Sequence, residues 1–246
     1  NIDVKAATEK GIFVANVIYD TCDVADHTVA LILSLLRKIP QARESVKSGV
    51  WDWKVLQPIT RLRGKTVGII GFGRIGREVA KRIRAFETNI VAYDPYIPSD
   101  VFEKNFAKKV DLESIFEQSD VVTIHVTLTD ETRHMVRKEY LQKMKKTAIL
   151  VNASRGAVID EEALYTALKE GWISGAALDV MEKEPPRRDN PLLNLDNVII
   201  TPHMAWYSID SLTEIQTKAA EEVARALNGQ IPVNLVNREV LKLKQR

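Results

Sequence analysis

Two hydrophobic spacings take turns along this chain. One is the short unbroken apolar run, at residues 66–70, 90–93, 121–125, 147–151, 175–180 and 198–200, with a weaker one at 12–14. These runs are rich in small and β-branched residues and nearly free of charge, which is how strands buried on both faces read. The other is the three-to-four spacing of a helix, over residues 4–9, 24–38, 111–117, 138–144, 161–170 and 209–227. It also follows residue 74, where Ile75, Val79, Ile83 and Phe86 share one stripe and Arg77, Glu78, Lys81 and Arg82 lie outside it. Stretch 24–38 is apolar on more than one face, so it is buried all round or against a second subunit, and Pro40 is expected to halt it. Residues 41–47 read as a helical continuation, and Gly11, Gly171 and Asn228-Gly229 as helix stops. Strands that alternate with helices predict an α/β fold with a doubly wound parallel sheet.

The first long run leads into three glycines spaced G-x-G-x-x-G: Gly71, Gly73 and Gly76. A helix follows, then the run 90–93, which ends in Asp94. Strand, glycine turn, helix, strand and terminal acid together describe a dinucleotide-binding βαβ unit. Gly71 lets the chain turn out of the strand, a side chain at Gly73 would block a pyrophosphate, and Gly76 lets the helix lie close to the sheet. The helix N-terminus offers N–H groups and partial positive charge to phosphates. Asp94 can accept from both ribose hydroxyls and would repel a 2′-phosphate, and Pro95 and Tyr96 supply no cation beside it. The expected cofactor is therefore NAD(H) rather than NADP(H).

Composition narrows the class further. With 246 residues, 45% of them hydrophobic, the chain can bury one large core or two small ones. A net charge of +2 from well-mixed signs argues against a nucleic-acid surface. No run approaches the ~20 apolar residues of a membrane span, and the start lacks the charged head and apolar middle of a signal peptide. Cys22, the single cysteine, fits a reducing compartment such as the cytoplasm. Four histidines without clustered cysteines argue against a metal site, and His27, His125 and His134 show no metal-ligand spacing. Trp51 and Trp53 fall in a loop, where large aromatics mark an interface or a packed flap, and residues 24–53 are the candidate dimer surface. The basic tail 242–246 is expected to fray.

In open α/β sheets ligands bind at the carboxyl ends of the strands. Polar residues there are the candidates: the glycine turn, Asp94, His125 to Thr127, the segment from Asn152 through Ser154 to Gly156, Asp179, and Thr201-Pro202-His203. Arg155 can hold a carboxylate through two parallel hydrogen bonds and polarise a neighbouring carbonyl. His203 can give a proton to a ketone as hydride arrives and take one in reverse. Glu184 can orient that imidazole and stabilise its charged form. Asp179 can hydrogen-bond the carboxamide of a nicotinamide.

The stretches GKTVGIIGFGRIGREVA, AYDPY, HVTLTDETRHMV, LVNASRGAVIDEEALYTALKEGWISGAALDV, EKEPP and TPHMAW resemble the D-isomer-specific 2-hydroxyacid dehydrogenase family across nearly the whole chain. The resemblance implies an NAD-linked Rossmann domain that dimerises through its own surface. It also implies a catalytic trio on Arg155, Glu184 and His203, pyrophosphate contacts at Arg74 and Ile75, an adenosine contact at Thr127 (where the family usually has proline), and a nicotinamide contact at Asp179. Cofactor contacts from His125, Ser154, Arg155 and His203, and a substrate pocket of Arg155, His203 and Trp206, complete the expected site. Family members pair this domain with a flavodoxin-like substrate domain formed by both chain ends. The expected partition is thus 1–23 as the end of an N-terminal substrate-domain segment, 24–205 as the NAD-binding domain, and 206–246 as the return to the substrate domain. About a hundred residues are expected ahead of Asn1 on that ground. Within the family, VNREVL is similar to D-3-phosphoglycerate dehydrogenases, whereas DVADHTVALIL and TPHMAWYS look like the C-terminal-binding-protein relatives, dimeric NAD(H)-sensing corepressors. Glyoxylate and hydroxypyruvate reductases are further alternatives. The residues do not rank the 2-hydroxy acids among themselves.

Overall fold

The structure is a computed structural model that describes residues 2–243. It separates into two compact units, Thr21–Trp206 and a smaller one made from both chain ends, Asn1–Asp20 with Tyr207–Arg246. None of the described helices is long and apolar enough to cross a membrane.

The smaller unit opens with helix α1 (Val4–Glu9), whose N-terminus is capped by the Asp3 carboxylate. Gly11 then reverses the chain at φ +69°. The apolar run 12–14, expected as a strand, is not one. Buried Asn237 replaces the ladder: its Oδ1 accepts from Val14 N–H at 2.8 Å and its Nδ2 donates to Ile12 O at 2.9 Å. One antiparallel bridge, Ala15 to Leu235, is the only β pairing of this segment among the described residues. A side-chain amide can satisfy the backbone of three residues as well as a short strand would.

The larger unit begins with α2 (Cys22–Leu36), whose Val24, Ala25, Val29, Leu31, Ile32 and Leu35 are buried. Pro40 does not halt this helix. The chain leaves it two residues before Ile39, passes through Lys38 at φ +52°, and starts α3 (Ile39–Lys47) with Pro40 in the first turn. A proline costs nothing there, because first-turn N–H groups have no intrahelical partner. A 3-10 turn (Trp53–Leu56) follows, with Trp51 88% and Trp53 68% exposed.

The sheet then assembles from β1 (Thr66–Ile70), β2 (Asn89–Tyr93), β3 (Lys108–Lys109), β4 (Val121–Ile124), β5 (Ile149–Asn152), β6 (Gly175–Leu178) and β7 (Val198–Ile200). Every pairing is parallel, in the order β3-β2-β1-β4-β5-β6-β7. Helices α4 (Arg74–Arg84), α5 (Ser99–Lys104), α6 (Leu112–Gln118), α7 (Lys138–Leu141) and α8 (Glu161–Lys169) connect the strands. Asp111 caps α6 and Asp160 caps α8 through side-chain bonds to the first-turn N–H groups. Two hydrophobic cores sit on the two sheet faces. Val67, Ile69, Val121, Ile149 and Val151 join α2 and α4 on one face, while Ile70, Val122, Ile124 and Leu150 join α6, α7 and α8 on the other. Strands covered on both faces need apolar residues at every position, which is why they read as unbroken runs.

The amino ends of the strands are tied by Asp120. Its carboxylate accepts from Thr66 N–H at 2.9 Å and lies 3.3 Å from Lys145 Nζ and 3.5 Å from Lys65 Nζ. Helix α5 and the two-residue β3 were not expected from the hydrophobic pattern; neither is long enough to show a period. The long helix α9 (Ile209–Leu227), capped by Ser208, and the short α10 (Val240–Leu243) belong to the smaller unit. Lys242 and Leu243 are therefore helical, and residues 244–246 of the expected frayed tail lie outside the described residues.

Candidate active site

The carboxyl ends of β1, β2, β4, β5, β6 and β7 share one rim because all seven strands run the same way. At β1 the chain turns at Gly71, φ +91°, where a Cβ would stand 2.6 Å from His125 O. A Cβ on Gly76 would stand 2.1 Å from Gly71 O, so the first turn of α4 is seated directly on the glycine turn. Gly73 differs: nothing lies within 4 Å of where its Cβ would be. It is the N-cap of α4, and no side-chain cap is made to that helix end among the described residues, so its first N–H groups are left available to a ligand. Arg74 is exposed and Ile75 half-buried at the same corner.

Asp94, at the end of β2, closes this corner. Its Oδ2 accepts from Phe72 N–H at 2.9 Å and its Oδ1 from Tyr96 N–H at 3.0 Å. The carboxylate is thereby fixed against the glycine turn, and each oxygen keeps a lone pair for a hydroxyl. An open space over Gly73, uncapped helical N–H groups and a fixed carboxylate one strand away fit a dinucleotide. Beyond β4, His125 is half-buried, with Nε2 at 2.9 Å from Thr123 Oγ1 and a buried Nδ1 that meets no partner among the described residues. Burial pushes its pKa down to about 3, so the imidazole is neutral. Thr127 is exposed, and its carbonyl accepts from Thr132 Oγ1 at 2.7 Å.

The other half of the rim is built from the ends of β5, β6 and β7, whose last residues stand side by side: Asn152 beside Leu178, and Leu178 beside Ile200. Asn152 staples the loop after β5. Its Oδ1 accepts from Ser154 N–H at 3.0 Å and from Ser154 Oγ at 2.8 Å, while its Nδ2 donates to Arg155 O at 2.9 Å. The Ser154 hydroxyl proton is thus used within the loop, while its oxygen can still accept. Arg155 is exposed, with Nη1 donating to Ser154 O at 2.6 Å, and no other hydrogen bond of its guanidinium is seen among the described residues. A Cβ on Gly156 would stand 1.9 Å from Met181 C, so this loop is pressed onto the loop that carries Glu184.

Glu184 and His203 form a pair, with Oε2 to Nδ1 at 2.6 Å. Glu184 Oε1 accepts from Met181 N–H at 3.0 Å, which fixes the carboxylate on its own loop. A carboxylate accepts, so Nδ1 carries the proton and Nε2 is left for a reacting oxygen. The two side chains are 37% and 41% exposed, and Met181, Pro185, Pro186, Ile200 and Pro202 wall a cavity of about 360 Å³ beside them. His203 itself sits at φ +53°, a left-handed backbone that costs a non-glycine residue free energy.

Asp179 is the hub behind this pair, 1% exposed. Three successive N–H groups end on it: His203 on its carbonyl at 2.8 Å, Met204 on Oδ1 at 3.0 Å and Ala205 on Oδ2 at 2.9 Å. Thr201 Oγ1 donates to Oδ1 at 2.6 Å, and His27 Nε2 lies 3.5 Å from the same oxygen. Burial pushes the Asp179 carboxyl up, but bonds from His27, Thr201 and the Ala205 and Met204 N–H groups outweigh it and hold the pKa below the ordinary value. Trp206 is half-buried against Val24, Ile75, Ala153 and Ala205, between the start of α4 and the loop after β5.

The strand-end candidates named from the sequence therefore fall on one rim, in two groups: Gly71, Gly73, Arg74, Ile75, Gly76, Asp94, His125 and Thr127 on one side, and Ser154, Arg155, Asp179, Glu184, His203 and Trp206 on the other. Sequence reasoning missed Asn152 as the staple of the Arg155 loop and the His27–Thr201 pair behind Asp179. The one available signal for His27 was an imidazole on a helix whose other inward positions, Thr28 apart, are apolar.

Known proteins resemble this chain in sequence and in fold. Residues 29–205 match the family model described as D-isomer specific 2-hydroxyacid dehydrogenase, NAD binding domain. The chain is 50% identical over 239 residues to the D-3-phosphoglycerate dehydrogenase of Methanocaldococcus jannaschii, covering 96% of this chain and 45% of that one. It is 45% identical over 251 residues to the glyoxylate reductase of Korarchaeum cryptofilum, covering 99% of this chain and 75% of that one. It is similar in structure to the D-lactate dehydrogenase of Aquifex aeolicus complexed with NAD and lactic acid, with a TM-score of 0.88, 34% identity, and 96% and 76% of the two chains covered. The chain thus spans less than half the length of the archaeal phosphoglycerate dehydrogenases it matches.

Proposed function

The chain belongs to the D-isomer-specific 2-hydroxyacid dehydrogenase family, and from that premise we propose that it serves an NAD(H)-dependent interconversion of a D-2-hydroxy acid and its 2-keto acid. The observation that carries the reading is the Glu184–His203 pair, 2.6 Å apart, on the same rim as Arg155. Arg155 binds the substrate carboxylate with the rest of its fork and polarises the adjacent carbonyl. His203 Nε2 delivers a proton to the carbonyl oxygen during reduction and removes it during oxidation. Glu184 holds Nδ1 and stabilises the imidazolium. The cofactor, when bound, supplies or takes up the hydride. The Asp179 Oδ2 has Ala205 N–H as its partner among the described residues, and it keeps a lone pair for a carboxamide. Asp94 supports NAD(H) over NADP(H), since a 2′-phosphate would meet a fixed negative charge.

The relatives bear names for phosphoglycerate, glyoxylate and lactate chemistry, so the substrate is a small 2-keto acid of that class. The protein is tested with NADH against 3-phosphohydroxypyruvate, hydroxypyruvate, glyoxylate and pyruvate. His203→Ala and Arg155→Ala each lower kcat/KM on the preferred acid by at least about a hundredfold, the lower end of acid–base effects. Undiminished activity in both variants rejects the assignment. Tight NADH binding without turnover on any of the four acids favours instead a cofactor-sensing binding module. The same reading includes a homodimer formed through residues 24–53, on the ground that two tryptophans exposed beside Val50 and Val55 make an apolar patch. We infer a cytoplasmic location, which the single cysteine of this chain supports.

A further inference from the structure

We propose that His27, on α2, is a positioning residue for the reacting imidazole: it donates from Nε2 into the Thr201–Asp179 pair and so holds the left-handed turn that carries His203. This rests on the reading of His203 as the acid–base group. The direction of each bond follows from proton counting. Thr201 has one hydroxyl proton, and at 2.6 Å from an ionised carboxylate that proton lies on the Asp179 side. His27 Nε2, 3.1 Å from Thr201 Oγ1 and 3.5 Å from Asp179 Oδ1, faces two acceptors and no donor. Nε2 must therefore bear a proton, shared between the hydroxyl and the carboxylate. The side chain is 20% exposed, so most of the ring is covered by protein.

The consequence passes through Asp179 to the turn. The N–H groups of His203, Met204 and Ala205 all end on Asp179, and Asp179 keeps its orientation only while Oδ1 is held on its far side. Thr201, just after β7, and His27, on α2, supply that hold. The φ of +53° at His203 is unfavourable by itself and persists because these bonds over-determine it. Without the donor at residue 27 the carboxylate gains a freer rotamer, the turn relaxes, and His203 Nε2 loses its aim. A misplacement of this kind costs rate before it costs folding.

The test uses His27→Leu, which fills the volume without a donor, and His27→Gln, whose amide nitrogen reaches the position of Nε2. The expected result is a drop in kcat of about tenfold for the Leu variant, the size of one lost hydrogen bond at a reacting group. The Gln variant recovers to within about threefold of wild type. Long-range proton–nitrogen NMR spectra of the wild-type protein show Nε2 of His27 protonated. Equal losses in Leu and Gln, unchanged kcat in Leu, or an unprotonated Nε2 would each overturn the proposal. Should the Leu variant fail to fold, the Gln variant and the spectrum still decide. A wild type that reduces no 2-keto acid sinks the parent reading, whereas an active wild type with an unaffected Leu variant sinks this one alone.

Discussion

His125 ends β4 with an imidazole that the fold keeps neutral. Its pKa falls from 6.5 to about 3 on burial, so the unfolded chain takes up a proton in a range where the folded one does not. The stability it contributes is complete above about pH 6.5 and drains away as the pH drops toward 3, at up to about 1.4 kcal/mol per unit. Replacing His125 by Gln should flatten the dependence of urea unfolding on pH between 6.5 and 4; an unchanged slope would reject the burial argument. The carboxylates act lower down. Asp179 and Asp120 are both held below 3.8, so their contributions are lost only under that value, and the two effects separate on a pH scan. At this scale the sequence was informative wherever a polar residue ended an apolar run, as at Asp94, His125, Asp179 and His203. It was silent on His27, whose partners lie 152 and 174 positions away, beyond any local period.

The glycine turn separates folding from binding within one element. A Cβ on Gly76 would press into Gly71 O, whereas one on Gly73 would enter open space. Gly76→Ala is expected to lower stability by about 1–3 kcal/mol, as overpacking does, and to lower NADH affinity through the displaced helix. Gly73→Ala should lower the melting temperature by no more than about 4 °C, since an alanine at the helix N-cap costs up to ~1 kcal/mol, and still weaken NADH binding tenfold or more, about 1.4 kcal/mol. Calorimetry and fluorescence titration on the two variants check this; unchanged NADH affinity in Gly73→Ala would count against a pyrophosphate there. The buried strands and long helices were legible because burial on both faces leaves unbroken apolar runs. Elements governed by other forces were not. The break between α2 and α3 is set by a left-handed Lys38 and not by Pro40, and segment 12–14 is held by the Asn237 amide and not by a ladder.

The whole molecule carries two kinds of expectation. One concerns association. Trp51 and Trp53 stand 88% and 68% exposed, after α3 and at the start of the 3-10 turn. Sedimentation at micromolar concentration is expected to show a dimer, and Trp51→Ser with Trp53→Ser to shift it toward monomer without loss of helical signal. A wild-type monomer would remove the case for residues 24–53 as an interface. The other concerns the division of labour across the sheet. Asp120 clasps β1, β4 and β5 at their amino ends, whereas all the chemistry assigned above hangs from the carboxyl ends. Keystone and workbench stand at opposite poles. A lineage can therefore rewrite its loops for a new acid, residue by residue, while the clasp that keeps the strands in register goes unedited.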